Sequence, residues 1–213
     1  MSDVLDSGPL CCAFAATPDE AASRTAGIAR WWRDLAESLG GRVPAELPWS
    51  EEPSQGVQRF ELGPRGLDAV RLAAVYAGHP ELELPELVPE PLWLDPAWRR
   101  AEGAGFARSP YGHLLAAQCW LPIAFDFTAK VPRPDGEDWS IGSLPVLHDQ
   151  LGRLAQQCFG VSPQSLDDLK RLADPFLALA GPALAAFERA ARTALGARVP
   201  LCVSPRPADL RGG

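Results

Sequence analysis

A chain of 213 residues, 46% of them hydrophobic, is long enough to bury one sizeable core without disulfides, so one domain is the expectation. Its formal charge of -7 argues against nucleic acid as a direct partner, because phosphate contacts need a basic surface, and is compatible with a basic protein partner. Five cysteines without Cys-x-x-Cys spacing or a nearby histidine fork exclude a zinc ribbon and read as the reduced thiols of a cytoplasmic protein.

Residues 9–16 read as a short apolar strand carrying Cys11 and Cys12. Asp3 and Asp6 ahead of it, with no Lys or Arg and with Gly8-Pro9 interrupting, argue against a secretory leader. No apolar run approaches the length of a membrane span. Thr17, Pro18 and Glu20 then form a capping box, which predicts a helix to about Leu39 stopped by Gly40 and Gly41. Its apolar face holds Ile28, Trp31, Trp32, Leu35 and Leu39. About 100° of rotation separates the adjacent tryptophans, so one of them belongs at the edge of the buried stripe.

Residues 42–56, with Pro44, Pro48 and Pro53, read as a connection carrying Trp49. Residues 57–62 read as a strand, Gly63 to Gly66 as a turn, and residues 67–77 as a second strand closing a hairpin. Leu67, Val70, Ala74 and Ala77 also fit a helix, but the valines and flanking glycines favour the strand.

Residues 79–95 have the most unusual composition: Glu81, Glu83, Glu86, Glu90 and Asp95 without any Lys or Arg, interleaved with Pro80, Pro85, Pro89 and Pro91. Prolines at that density favour extended backbone. The functional reading is an acidic, preformed arm whose apolar anchors are Leu82, Leu84, Leu87, Leu92 and Trp93. The plainer alternative is a solvated loop whose leucines tuck onto the sheet.

Asp95-Pro96 predicts a short helix with Trp98, Arg99 and Arg100, ended by Gly103 and Gly105, and Ser109-Pro110 predicts another with His113, Leu114 and Leu115. Residues 119–128 read as the longest strand, with Leu121, Ile123, Phe125 and Phe127 on one side and Asp126 on the other. Pro122 confines that strand to a sheet edge, or to pairing beyond the proline. Residues 131–143 read as a loop in which Trp139 and Ile141 are the large apolar residues. Ser143 then caps an amphipathic helix bearing Leu144, Leu147, Leu151, Leu154 and Cys158, which Gly160 ends.

Ser162-Pro163 predicts a helix with Leu166, Leu169 and Leu172 on one face. Residues 175–195 read as a helix with a restart or kink at Gly181-Pro182, stopped by Gly196. Residues 198–204 form a strand that Pro200 confines to an edge or to its own beginning. The resulting fold class is a single α+β domain over residues 1–204, with a mixed or antiparallel sheet covered by helices, and a flexible tail over residues 205–213.

No catalytic, cofactor or metal signature stands out. His79, His113 and His148 are far apart, and Gly63-x-x-Gly66 lacks the third glycine of a dinucleotide fingerprint. The sequence therefore assigns no catalytic residue, no cofactor and no metal. The expectation is a non-enzymatic protein-binding module of inhibitor or immunity type, which captures a basic protein through Glu81, Glu83, Glu86, Glu90, Trp93, Trp49 and Trp139. The enzyme alternative draws on His113, Asp126 or His148 in a pocket between residues 119–128 and 144–158, or on His113, Cys119 and Asp126 at the helix-to-strand junction. A self-assembling structural subunit is the third reading, and the sequence does not set the oligomeric state.

Overall fold

In the computed structural model, residues 2–15, 17–162, 165 and 174–204 are described. The chain runs β1 (Ser2–Ser7), α1 (Leu10–Ala13), α2 (Pro18–Ser38), β2 (Gln58–Pro64), α3 (Gly66–Ala77), α4 (Pro96–Gly103) and α5 (Gly112–Ala116). It continues through β3 (Cys119–Leu121), β4 (Ala129–Pro132), β5 (Asp138–Ser143), α6 (Leu144–Phe159), α7 (Pro175–Ala197) and β6 (Leu201–Val203). Among the described residues these strands make one open sheet in the order β2-β1-β6-β3-β5-β4. Only β3 and β5 pair in parallel, so the sheet is mixed and the fold is α+β.

Four helices start on side chains that satisfy a free amide of the first turn. Thr17 accepts from Glu20 N–H (3.2 Å) at α2, Asp95 from Trp98 N–H (2.8 Å) at α4, Ser143 from Val146 N–H (3.3 Å) at α6, and Asp174 from Leu177 N–H (3.0 Å) at α7. Each also carries proline in its first turn, where a missing amide costs nothing. The Glu20 carboxylate of the Thr17 box also pairs with Arg24 (2.6 Å), one turn further along α2.

Helices pack on both faces of the sheet, and the period-two alternation of the central strands sorts the two cores. Trp120 and Leu201 join Leu5 and the apolar faces of α3, α6 and α7. Cys119, Leu121, Ile141 and Cys202 join Ile28, Trp32 and Leu35 of α2 on the opposite side. Trp120 meets Phe187 of α7 edge-on at 5.2 Å, and its indole N–H donates to the His113 carbonyl (2.8 Å). The two tryptophans of α2 divide as the helix geometry requires. Trp32 is fully buried with its N–H on the carbonyls of Pro44 and Glu46, while Trp31 lies at the margin and donates to the Pro132 carbonyl (2.7 Å).

Several expected elements differ. The first strand is residues 2–7, and Leu10–Ala13 is a helical turn because the buried Glu51 carboxylate receives its first amides. Asp3 and Asp6 are buried in β1 through specific partners: Asp3 accepts from Leu67 N–H (3.1 Å), and Asp6 pairs with Arg59 (3.0 Å) and Ser204 (2.6 Å). Residues 67–77 belong to a helix, and β2 pairs with β1 instead of folding back on them.

The long strand expected over residues 119–128 stops at Leu121, where the backbone bends and Ile123 N–H returns to the Leu121 carbonyl (2.8 Å). This short strand is internal and uses none of its residues beyond Pro122, which satisfies the proline constraint by termination. The expected loop over residues 131–143 contains most of the β4–β5 hairpin, turned at Gly136 (φ 97°), so its turn residues mark a hairpin apex. α7 continues through Pro182 and past Gly196, ending where Arg198 adopts a left-handed conformation (φ 55°). β6 begins after Pro200 and lies inside the sheet. The helix expected after Ser162 and the C-terminal tail lie outside the described residues.

Candidate functional site

Prolines keep residues 79–95 out of regular structure except for a single 3-10 turn, Leu92–Leu94. The segment is nevertheless held at three points. At its start, His79 N–H bonds the Tyr76 carbonyl (2.9 Å) and Leu82 N–H the His79 carbonyl (3.0 Å). In its middle, Val88 tucks into the core, and the Arg65 guanidinium donates to the carbonyls of Val88 (2.6 Å) and Pro89 while lying 3.8 Å from Glu90. At its end, the Asp95 carboxylate caps α4 and accepts from the Tyr76 hydroxyl (2.9 Å). Arg65 itself sits at φ 57°, in the turn that leads from β2 into α3.

Between those anchors the side chains face solvent. Leu87 is 73% exposed, Trp93 61% and Leu94 58%, with Leu82 and Leu84 also exposed. Glu81, Glu83, Glu86 and Glu90 are exposed alongside them. The Glu81 carboxyl is held below its ordinary range by its own backbone N–H, then by His79, whose Nδ1 is 3.1 Å away, and more weakly by Arg100. The arrangement is a pinned backbone presenting alternating acids and large apolar groups, and Leu92 alone among the expected apolar anchors packs back against the core.

Trp49 and Trp139 are placed elsewhere. Both are 6% exposed and lie in the core beneath α2, where Trp49 meets Trp32 edge-on at 4.9 Å and Trp139 meets Phe14 at 5.5 Å and Trp31 at 6.2 Å. The Trp49 indole donates to Glu51 (2.6 Å). Both tryptophans are buried, whereas Trp93 is exposed.

His113, Asp126 and His148 are not gathered into one pocket. His113 is buried; its Nδ1 accepts from Ser143 N–H (2.8 Å), which fixes the neutral ring, and burial lowers its pKa, opposed by a hydrogen bond to the Asp126 backbone and by that residue's charge. The Asp126 side chain is 95% exposed and pairs with Arg42 (3.4 Å), whose guanidinium stacks on Phe127 at 3.7 Å. His148 lies 3.6 Å from the buried Glu188 on α7, which also meets Arg192 at 3.4 Å. Cys119 is fully buried opposite Cys202, and burial raises its pKa well above the ordinary thiol value, the reverse of an activated nucleophile. Among the described residues no group of His, Cys, Asp and Glu has the arrangement of a metal site, and no helix is long and apolar enough to cross a membrane.

The sequence reading passed over three features. Arg65 reaches 23 residues along the chain to the arm, a contact without local signal. Leu94 adds to the exposed apolar set. A cavity of about 240 Å³ opens beside His79, at the root of the arm and away from residues 119–128. No known family model, curated protein or solved structure matches this chain at a significant level.

Proposed function

We propose that this chain is a non-enzymatic protein-binding module that captures a basic protein, in the manner of an inhibitor or immunity protein, through the acidic arm of residues 79–95. One observation carries the reading. The exposed large hydrophobic side chains among the described residues are Val57, Leu82, Leu84, Leu87, Trp93 and Leu94, and all except Val57 belong to the arm. Exposed apolar groups clustered in one segment mark an interaction surface far better than the same groups scattered singly. The interleaved glutamates specify the sign of the partner, and the anchoring by Arg65 lowers the ordering cost of binding. Trp93 supplies the kind of large, half-polar anchor that concentrates binding energy. The buried Trp49 and Trp139 serve the core, so the binding role rests on the arm. Five free cysteines support a cytoplasmic location, and the net charge of -7 supports a protein partner over nucleic acid.

The test is affinity capture from the source cell with the wild-type chain beside a Trp93→Ala, Glu86→Lys, Glu90→Lys variant, followed by native mass measurement. The expected result is a stoichiometric basic protein that is released at about 0.5 M salt, where screening collapses to a few ångströms, and is missing from the variant. Equal retention by the variant would remove the arm from the interface. A mass that rises with concentration and without a partner would instead favour self-assembly.

A further inference from the structure

The cavity beside the arm's first residue has a division of chemistry that the arm does not explain. Its apolar surface is built by Val75 from the end of α3, Ala101 and Ala104 from the end of α4, Phe106, Pro110, and Leu115 of α5. Arg100, Arg108, Ser109 and His79 bring its polar side chains. In a chain of net charge -7, the exposed guanidinium groups of Arg100 and Arg108 make no ion pair or side-chain hydrogen bond with any described residue. Glu81 reaches Arg100 only as a weak, longer-range charge. The Ser109 hydroxyl accepts from Tyr111 N–H (3.1 Å), which orients its oxygen and leaves its own proton free to donate.

Phe106 is held in place at a cost. Gly105 and Phe106 both adopt left-handed conformations, at φ 61° and 56°, and the phenylalanine has no glycine-like freedom there. Its N–H bonds the Ala101 carbonyl (2.9 Å), its carbonyl accepts from Ser109 N–H (3.0 Å), and its ring meets Trp98 edge-on at 5.2 Å. The strained turn thus fixes both an apolar wall and the serine that follows it.

We propose that this cavity binds a small organic carboxylate with a short aliphatic or aromatic body, the body lying on Val75, Phe106 and Leu115 and the carboxylate facing Arg100 and Arg108. Two arginines and a hydroxyl donor lining one cavity suit a planar carboxylate, and the apolar floor rejects a fully hydrated ion. At about 240 Å³ the space is below the range of roughly 300–1,000 Å³ that holds drug-sized ligands, which limits the body to a handful of carbons or one ring. The cavity shares His79 with the arm, but the groups assigned to the ligand, Val75, Arg100, Phe106, Arg108 and Leu115, lie outside residues 79–95, so ligand binding and partner capture are tested by different variants.

The probes are hexanoate, phenylacetate, the neutral amide hexanamide, and inorganic phosphate, titrated into the full-length chain and followed by amide chemical shifts and calorimetry. Hexanoate or phenylacetate is expected to bind with Kd below about 1 mM, with shifts centred on Ala101, Ala104, Phe106 and Leu115, and to weaken as salt is raised. Arg100→Gln with Arg108→Gln, checked for an unchanged fold by circular dichroism, is expected to weaken the carboxylates at least about tenfold while leaving hexanamide unaffected. Hexanamide binding as tightly as hexanoate, phosphate binding as tightly as either acid, or no shift at those four amides with any carboxylate would each overturn the assignment.

Discussion

The Glu51 carboxylate is 6% exposed and accepts three N–H groups, from Leu10 (3.0 Å), Cys11 (2.7 Å) and the Trp49 indole (2.6 Å). It therefore ties the first turn of α1 to the connection before β2, and burial together with its charge pushes the Cys11 thiol up to about 12. Glu51→Gln exchanges one acceptor oxygen for a donor that faces donors, so it is expected to destabilise the fold by about 2–3 kcal/mol, read as a lower urea midpoint at unchanged slope. His113 is the second residue whose role is decided by its partners. Its Nδ1 accepts a backbone N–H, so the folded state needs the neutral ring, and burial places its folded pKa below the ordinary 6.5. The unfolded chain then binds more protons as pH drops, so this contribution is complete above 6.5 and is lost as pH falls towards the folded value. Urea midpoints measured on either side of that value should fall more steeply on acidification for the wild type than for His113→Asn, which keeps an acceptor and loses the titration; parallel falls would refute the fixed neutral ring. Neither residue could be assigned from sequence, because a buried glutamate and a solvated one have the same local pattern, and His113 finds Ser143 across 30 positions.

Elements were legible where local chemistry alone decides them. Thr17, Asp95 and Ser143 cap the helices they were expected to cap, and the stripe of Leu144, Leu147, Leu151 and Leu154 is fully buried in α6. Elements decided by tertiary contact were not. α3 is buried nearly all round, with Leu67, Ala69, Val70, Leu72, Ala73, Ala74 and Val75 inside, and a helix without a polar face loses the periodicity that separates it from a strand. β1 was hidden for the opposite reason, since nothing local marks the two acids Asp3 and Asp6 as buried strand residues until their partners are known. Gly66, taken for a hairpin turn, is instead a contact point: a Cβ there would stand 2.9 Å from the Cβ atoms of both Leu62 and Ala183. Its dihedral is helical, so alanine would ordinarily strengthen the helix. Gly66→Ala is nevertheless expected to destabilise by about 1–3 kcal/mol, because α3 must move away from α7 and β2 to admit the methyl. Thermal unfolding checks the sign, and a rise in Tm would show that the close approach is not required.

At the scale of the whole molecule, the two cores and the arm make different demands on the same side-chain types. Trp32 and Trp120 are fully buried on opposite faces of the sheet, and truncating either removes packing that the fold needs. Trp93 and Leu87 are exposed on a backbone that Arg65, Val88 and Asp95 already hold, so the fold gains little from their side chains. Leu87→Ser combined with Trp93→Ser is therefore expected to leave the unfolding free energy from urea titration within about 0.5 kcal/mol of wild type, the range of ordinary surface substitutions, while abolishing the basic-protein capture proposed above. Arg65→Gln should separate the arm's support from its surface. It removes the donors to the Val88 and Pro89 carbonyls without touching an exposed apolar group, so proteolytic cleavage within residues 79–95 should speed up, and on the proposed function a captured basic protein should dissociate faster. If the double serine variant instead unfolded at markedly lower urea, the exposed side chains would be part of the scaffold, and the acidic arm would have to be reread as a loop that covers the core.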